Sequence, residues 1–301
     1  MHRCATVRSG VSRRLLQGGA MAALCITSVL GVAASAADGP IRPEPLRLDR
    51  DGNWLIIRSP QLPRGEIRIN YLEAYCRPDS TDADWVEHTL VGHRTELVEL
   101  TGDGQRMRLR CHVQDGLRVE HDIRVVDDGV SFHLTVTNTA DRLNEAHWAQ
   151  PCVRLGDFAG AETDDPRCPD IKLSNSFIFL DGRLSRLPTQ PWATEARYVP
   201  GQVWVPRSVP RTDVNPRPLS ELVPSNGLIG CFSQDGRWLL AIAFEPYQEL
   251  FQGVARCLHS DFRIGDVQPG ETKEIRGKIY LLCNDPDLLL RRYHRDFPED
   301  R

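Results

Sequence analysis

The stretch that decides the fold class is Leu117–Asn138, which reads LRVEHDIRVVDDGVSFHLTVTN. It contains two β-like runs, Leu117–Val126 and Val130–Thr137, separated by the dipeptide Asp128-Gly129. Such a step favours a tight hairpin because Gly adopts positive φ without steric cost. In the second run, polar residues alternate with apolar ones, as they do in a strand with one buried face. The stretch therefore predicts two antiparallel strands joined by a short turn.

Working outward, the same pattern repeats along most of the chain. Asp115-Gly116 and Asp235-Gly236 are further hairpin signals. Many β-runs at short spacing predict an all-β protein with an antiparallel sandwich or barrel. The further predicted strands are Trp54–Arg58, Glu66–Tyr75, His88–Leu100, Met107–Gln114, Ala146–Leu155, Phe177–Leu180, Leu228–Phe232, Arg237–Phe244, Val254–His259 and Lys273–Cys283.

A short helix is predicted at the C-terminus. Asp285 can cap it, Pro286 suits its first position, and Pro298 lies beyond its end. Between the strands, residues 184–226 are rich in Pro and contain Trp192 and Trp204. A stretch of this length is too long for a simple connection and predicts a functional loop over one face.

The N-terminus is a different kind of sequence. Residues 1–36 carry four Arg and no acidic residue, then an apolar run that ends in Ala34-Ser35-Ala36. This predicts a secretory signal peptide cleaved before Ala37, and the paired arginines Arg13-Arg14 also resemble a twin-arginine export signal. We expect an extended lead-in over 37–47, one β-sandwich domain over 48–301, and a periplasmic or secreted protein without a membrane anchor after cleavage.

The charge balance excludes some partners. The whole chain has a formal net charge of −4, and removal of the four Arg of residues 1–36 leaves −8. An acidic domain argues against nucleic-acid binding, which needs a basic face. The composition leaves the oligomeric state open.

The cysteines do not form a recognisable motif. Seven lie after residue 36, and no CxxC or paired Cys/His spacing suggests zinc, so we assign no metal site and no cofactor. Most are expected to be packing residues, and Cys152 with Cys168 is the pair we predict if any is bridged.

Glu245 is the first candidate for catalysis. It ends the apolar run Arg237–Phe244 on a face that otherwise carries small Ala residues. A carboxylate there is a candidate for a raised pKa and for general-base work. The simpler alternative is a strand-end Glu that faces water or pairs with an Arg.

His147 is the second candidate. It precedes Trp148, and a His beside a Trp suits a sugar site because imidazole moves protons and indole stacks on a pyranose face. The alternative is a structural His under a loop.

These residues carry a resemblance to a known family. The run Leu117–Asn138 resembles the core strand pair of the galactose mutarotase-like β-supersandwich, in which a strand ending in TN leads to a strand with a catalytic His. His147 falls at that position. LLAIAFEPYQELFQG (residues 239–253) resembles the late strand with the catalytic Glu, which places Glu245 there, and Pro269-Gly270-Glu271 matches the turn before the last strand.

The resemblance implies an exported protein that acts on carbohydrate. Glu245 would take the proton of an anomeric hydroxyl and His147 would protonate the ring oxygen. The sequence departs from the family around His147, where Ala146 precedes it and Ala149-Gln150 follow Trp148. A glycoside hydrolase or polysaccharide lyase on the same fold, and a non-catalytic glycan-binding or structural envelope protein, therefore stay as alternatives.

Other residues are candidates for contacts with the sugar. His259 and Asp261 share a strand face and can bind a sugar or a metal, or bond each other. Trp192, Trp204 and Tyr247, with Trp148, can form stacking platforms or pack in the core.

Overall fold

A computed structural model describes residues 42–79, 85–160, 174–187, 202–215, 219–253 and 257–300. The predicted signal peptide, Trp192 and Cys168 lie outside these residues. Within them, no helix is long and apolar enough to cross a bilayer.

Two antiparallel sheets form the body of residues 42–300. With strands numbered along the chain, the first sheet contains β1 (Arg47–Asp51), β2 (Trp54–Arg58), β3 (Glu66–Cys76), β4 (Leu90–Val91), β9 (Trp148–Arg154), β12 (Gln202–Trp204), β15 (Tyr247–Gln252) and β16 (Cys257–Arg263). The second contains β5 (His93–Leu100), β6 (Arg106–Val113), β7 (Leu117–Val126), β8 (Gly129–Asn138), β10 (Ser176–Leu180), β11 (Arg183–Arg186), β13 (Ile229–Phe232), β14 (Trp238–Glu245) and β17 (Thr272–Cys283).

The strand orders show how the chain crosses between the sheets. The first sheet has the order β1-β2-β3-β9-β16-β15-β12, with β4 paired to β3, and the second has β11-β10-β13-β14-β17-β8-β7-β6-β5. The predicted hairpin is confirmed as β7–β8, with Val126 opposite Gly129. The antiparallel β-sandwich predicted from the sequence is confirmed.

A single hydrophobic core fills the space between the sheets. It joins side chains of the first sheet, such as Ile69 and Phe262, to side chains of the second, such as Leu134 and Phe244. Phe244 packs at 5.6 Å from Phe132 and 5.3 Å from Phe262 between ring centroids. These strands alternate because each has one face in this core.

The predicted C-terminal helix is confirmed as α1 (Pro286–Asp296), with the Asp285 side chain accepting from the Leu288 amide. It covers the outer face of the second sheet, where Leu289 and Tyr293 pack with Ala241 and Ala243 of β14. Short helical turns also occur at Pro63–Gly65, Trp85–Thr89 and Pro298–Asp300.

The structure differs from the sequence-based outline in several regions. The predicted strand His88–Leu100 divides into β4 and β5, which belong to different sheets, and β15 was not predicted. Arg47, expected to end an extended lead-in, begins β1. The stretch expected to be a loop, 184–226, contains the end of β11 and all of β12, and β12 is an edge strand of the first sheet beside β15. These strands were not predicted because both are short and because the surrounding stretch is rich in Pro, which disfavours strands.

Candidate functional site

The outer face of the first sheet is polar along β16. Leu258 and Phe262 point into the inter-sheet core, so the alternation directs Cys257, His259 and Asp261 to the opposite face. All three are buried there, with at most 4% of each residue exposed. Buried polar groups in such numbers need partners and mark this face as a candidate site.

Residues 205–215, which follow β12, cover this face. Val209 and Val214 pack against Phe251 of β15 in a separate apolar cluster. The Asp213 carboxylate accepts from Arg263 Nη1 at 3.1 Å at the end of β16. The covering segment therefore removes the sheet's polar face from bulk water.

Two carboxyl groups lie opposite each other under this cover. Glu249 of β15 and Asp261 of β16 are register partners, and neither is measurably exposed. Glu249 Oε2 accepts from the Asn215 amide at 2.9 Å, and Asp261 Oδ2 accepts from Gln150 Nε2 at 3.0 Å. Among the described residues, Glu249 Oε1 has no hydrogen-bond partner.

The environment shifts the acidity of both groups. Burial raises the pKa of Glu249 well above its ordinary value, and the neighbouring charge of Asp261 raises it further. Burial also raises the pKa of Asp261, although His259 and Gln150 oppose that rise. Because His259 and Gln150 both contact Asp261 and favour its charged form, whereas Glu249 Oε1 has no partner among the described residues, the geometry favours Glu249 as the protonated member.

A chain of side chains continues from Asp261 toward Cys152. Asp261 Oδ1 lies 3.2 Å from His259 Nδ1, and His259 Nε2 lies 3.2 Å from Cys257 Sγ. The hydrogen bond from Cys152 and the charge of His259 hold the pKa of Cys257 well below its usual range. Burial lowers the pKa of His259, but Cys257 and Asp261 outweigh it and raise that pKa well above the ordinary value.

A cavity of about 180 Å³ lies beside two residues that hydrogen-bond the carboxyl pair, and neither carboxyl lines it. Gln150 and Asn215 line it, so each carboxyl of the pair bonds a residue of the cavity wall. The buried Asn215 Oδ1 has no hydrogen-bond partner among the described residues. The full lining is Glu73, Ala74, Trp85, Leu90, Gln150, Asn215 and Phe251.

His147 lies directly before β9, at the edge of this face. Its amide donates to Cys76 O at 2.8 Å, and its carbonyl accepts from the Ile264 amide at 2.7 Å. The imidazole Nε2 is 3.3 Å from Asp266 Oδ1, and the side chain is 15% exposed. Burial lowers the pKa of His147, with the charge of Asp266 opposing it.

Glu245 is the other member of the catalytic pair predicted from the sequence. It ends β14 in the second sheet, opposite Arg276, and its Oε1 accepts from Tyr293 of helix α1 at 3.0 Å. With Tyr247 and Arg207 it borders a separate cavity of about 270 Å³. Pro246, next to Glu245, accepts from the Arg263 amide, and His147 O accepts from the Ile264 amide. Both residues of the predicted pair therefore adjoin the same end of β16, and their joint role stays a prediction.

The aromatic candidates are mostly packed. Trp148 and Trp204 have no exposed surface, and Trp148 Nε1 donates to Arg77 O at 3.2 Å. Tyr247 is 7% exposed and also contacts the inter-sheet core. Stacking of a sugar on Trp148 or Trp204 would require this packing to open, whereas Trp85 and Phe251 already line the cavity.

The structure also reports on the cysteines. All six described cysteines are free thiols, and they include Cys152, half of the pair we predicted if any is bridged. Cys168, the other half, lies outside the described residues.

Sequence reasoning missed Glu249 and the cavity wall. β15 has a register shift between Tyr247 and Glu249, so the alternation that places Tyr247 in the core does not simply continue. Glu73, Gln150 and Asn215 come from parts of the chain that only the strand order brings together. The one signal available was the mixture of polar and apolar residues in YQELFQ (residues 247–252), which is compatible with a strand that contains a bulge.

No protein-family model and no curated protein matches this sequence. Among solved structures, the chain is similar to a galactose mutarotase-like protein from Lactobacillus casei ATCC 334, with 9% identity over 79% of this chain and 100% of that chain and a TM-score of 0.41. The resemblance to galactose mutarotase-like proteins stated from the sequence thus recurs among solved structures, as a remote likeness.

Two larger enzymes are also similar. One is an alpha-N-acetylgalactosaminidase from Bifidobacterium bifidum, with 10% identity over 84% of this chain and 37% of that chain and a TM-score of 0.43. The other is an alpha-mannosidase from Enterococcus faecalis V583, with 7% identity over 86% of this chain and 30% of that chain and a TM-score of 0.46.

Proposed function

We propose that this chain is a carbohydrate-active protein that binds a sugar ring in the cavity on the outer face of the first sheet. The observation that carries the proposal is the composition of the cavity wall, where Glu73, Gln150 and Asn215 stand beside the aromatic residues Trp85 and Phe251. Sugars need hydrogen-bonding groups around their edge and apolar surface against their faces.

The size of the cavity limits the ligand. Its volume of about 180 Å³ is below the roughly 300–1,000 Å³ of pockets that enclose drug-sized molecules. One ring fits this space better than a chain of several. A longer glycan would therefore present one residue, such as its end, to the cavity.

The reaction class that we propose is proton transfer at the bound ring, with anomer interconversion as the model. Glu73, a carboxylate 3.7 Å from Arg154, takes the proton of the anomeric hydroxyl. The proton for the ring oxygen comes from Glu249, whose pKa burial raises. Glu249 lies directly behind the wall residue Asn215, so Asn215 must shift to admit it to the ring. The bond between anomeric carbon and ring oxygen breaks, the resulting aldehyde rotates, and the ring closes on the other face.

Nuclear magnetic resonance of the purified full-length chain with a panel of reducing monosaccharides and oligosaccharides tests this proposal. We expect faster anomer exchange with the wild type, and a loss of at least tenfold in Glu73→Gln and Glu249→Gln. Trp85→Ala should weaken binding, whereas the matched control Trp54→Ala, which changes a Trp at another surface cavity, should not.

Each other outcome has a definite meaning. Loss of exchange in His147→Ala and Glu245→Gln, with Glu73→Gln and Glu249→Gln unaffected, would overturn the assigned cavity in favour of the pair predicted from the sequence. Release of new reducing ends would indicate a hydrolase, and unsaturated products a lyase. Binding without turnover, unchanged in Glu249→Gln, would indicate a non-catalytic glycan-binding protein, and no binding of any sugar would overturn the carbohydrate assignment.

We also propose that the chain is exported to the periplasm or secreted. The support is the basic, apolar and small-residue order of residues 1–36. Expression in a bacterial host followed by cell fractionation and N-terminal sequencing should give a processed chain that starts at Ala37. An unprocessed cytoplasmic chain would contradict the proposal.

A further inference from the structure

Three side chains of types that commonly ligate metals meet on the polar outer face of the first sheet. The Sγ atoms of Cys152 and Cys257 and a ring nitrogen of His259 all lie within 4.8 Å of one another. Cys152 comes from β9 and the other two from β16, which is its neighbour in the sheet. Ligand atoms around a tetrahedral zinc ion lie roughly 3.5 Å apart, so small side-chain rotations would close the set.

The imidazole is already held as it is in metal sites. His259 Nε2 faces Cys257 Sγ at 3.2 Å, while Nδ1 is 3.2 Å from Asp261 Oδ1. Asp261 is fixed in turn by Gln150 Nε2 at 3.0 Å. A carboxylate on the second nitrogen of a metal-binding His sets its tautomer and orientation, and this arrangement is usual around zinc.

The backbone leaves room for the second sulfur. A Cβ at Gly253 would lie 2.4 Å from Cys257 Sγ, a distance that no side chain tolerates. Gly253 also donates its amide to Cys257 O at 2.9 Å, so the two residues are held together. Glycine at 253 is therefore required for Cys257 to direct its sulfur toward Cys152 and His259.

We propose that Cys152, Cys257 and His259 bind a thiophilic divalent metal ion, for which zinc is the probe. Two thiolates and a neutral imidazole balance the charge of the ion, and two protons are released on binding, one from the Cys152 thiol and one from the Cys257–His259 pair. Three protein ligands leave one coordination position for water or another small ligand.

A disulfide between Cys152 and Cys257 is the main competing use of these sulfurs. It would leave Nε2 of the buried His259 without the sulfur partner that it has now, and would make no use of the Asp261 contact. A metal ion satisfies all three side chains together. The geometry therefore favours the metal, and the experiment separates the two.

The test uses the purified full-length chain, reduced with a phosphine, freed of metal with a chelator, and then titrated with zinc or cobalt. We expect one ion per chain, a higher Tm with zinc, and the near-ultraviolet thiolate-to-metal band and visible bands of tetrahedral cobalt. Cys152→Ser, Cys257→Ser and His259→Gln should each lose stoichiometric binding, and Asp261→Asn should weaken it by about 10–100-fold.

Cys231→Ala is the matched control, because Cys231 is an equally buried free thiol on the second sheet. It should bind metal as the wild type does. Circular dichroism of each variant establishes that it is folded, and the cobalt spectrum of the wild type reports thiolate ligands even if a variant does not fold. No stoichiometric binding after reduction, or a cobalt spectrum without thiolate bands, would overturn the proposal, as would metal that persists in Cys257→Ser.

This inference does not depend on the proposed function. Metal content and the cobalt spectrum are measured without sugar, and the Glu73→Gln variant of the sugar test leaves all three metal ligands in place. Failure of either proposal is therefore visible without the other.

Discussion

Glu249 and Asp261 face each other directly across strands β15 and β16, and both are fully buried. Two carboxylates that are both shielded from water and lie next to each other cannot both stay charged without a large cost in free energy. The pair is tolerated because each member bonds one residue of the cavity wall, Asn215 or Gln150, and because one member keeps its proton. A fold that needed only stability would place apolar side chains here, so the pair indicates a function at this face.

Glu249→Gln should stabilise the protein at alkaline pH. The raised pKa of Glu249 means that the folded state holds a proton which the unfolded chain releases above about pH 4.5, so stability falls as pH rises from there. The charged groups that act on Glu249 are Asp261, His259 and Asp213, and the Asn215 amide is its hydrogen-bond donor. Gln removes the titration and can donate to Asp261.

Urea unfolding between pH 4.5 and pH 9 measures this effect. We expect the two proteins to differ most at the alkaline end and to converge toward pH 4.5. Glu274→Gln is the control, because Glu274 is an exposed carboxylate on the second sheet. Parallel pH curves for wild type and Glu249→Gln would contradict the assignment of the buried proton to Glu249.

His121 should make the fold acid-sensitive. It is fully buried in β7, where burial lowers its pKa from 6.5 to about 3 with a smaller contribution from His93. Its Nδ1 is hydrogen-bonded to Tyr71 OH at 2.9 Å. Between these pH values the unfolded chain binds a proton that the folded chain does not, so stability falls as pH falls from 6.5 toward 3.

The expected loss is on the order of 4 kcal/mol over that range, and His121→Phe should lack it. At pH 7 the variant should be less stable by about 1–2 kcal/mol, because Tyr71 OH loses its partner. Chemical unfolding at several pH values measures both numbers. His133→Ala, which changes an exposed His on β8, is the control, and an equal acid slope in wild type and His121→Phe would be evidence against the buried neutral imidazole.

How far the sequence predicts this fold depends on the kind of signal. The β7–β8 hairpin and the cap of α1 were predictable because turn glycines, alternation and Asp285-Pro286 act locally. Strands β12 and β15 were not, since one is three residues long and the other begins after Pro246 with a register shift. Local sequence patterns determine individual strands and helices, whereas the order of the strands in a sheet depends on the whole chain.

The candidate site follows the same division. The sequence placed His259 and Asp261 on one strand face, and the structure confirms that they share it and bond each other. It had no means to find Cys152 or Glu249 beside them, because pairing of β9, β16 and β15 joins residues that are distant in the chain. The family resemblance directed attention to Glu245, which the structure places against helix α1.

Lys278 should anchor helix α1 to the second sheet. Its ammonium lies 2.6 Å from Asp128 and 2.5 Å from Asp296, and its side chain is only 8% exposed. Lys278→Met would leave the two buried acidic groups with Arg295, which pairs with both, with Arg292 beside Asp128, and with the Tyr280 hydroxyl on Asp296. Removal of one member of a buried ion network costs about 3–5 kcal/mol, and we expect a loss near 3 kcal/mol because these other partners remain.

Arg291→Met is the control for Lys278→Met, since Arg291 is on the same helix but 66% exposed with a single distant ion pair. It should change the free energy of unfolding by less than about 0.5 kcal/mol. Urea unfolding gives both values, and hydrogen exchange of α1 should rise only in Lys278→Met. Equal effects in the two variants would argue against the buried network as the anchor.

Gly277 should tolerate no side chain, because β17 passes close to an aromatic ring of the core. A Cβ there would lie 2.1 Å from Cε1 and 2.3 Å from Cδ1 of Phe244. The ring cannot retreat easily, since Phe132 and Phe262 pack against it. Gly277→Ala should therefore cost about 1–3 kcal/mol as an overpacked core position.

A rescue experiment distinguishes this steric clash with Phe244 from a general intolerance of β17 to substitution. Gly102→Ala, where a new Cβ meets nothing within 4 Å, should leave stability unchanged or slightly raised, because Ala restricts the unfolded chain. In the background Phe244→Leu, which removes part of the ring, Gly277→Ala should cost much less than in the wild type, giving a coupling energy of about 1 kcal/mol or more in a double-mutant cycle. Additive effects of the two substitutions would show that the close approach of Gly277 to Phe244 is not what requires glycine at this position.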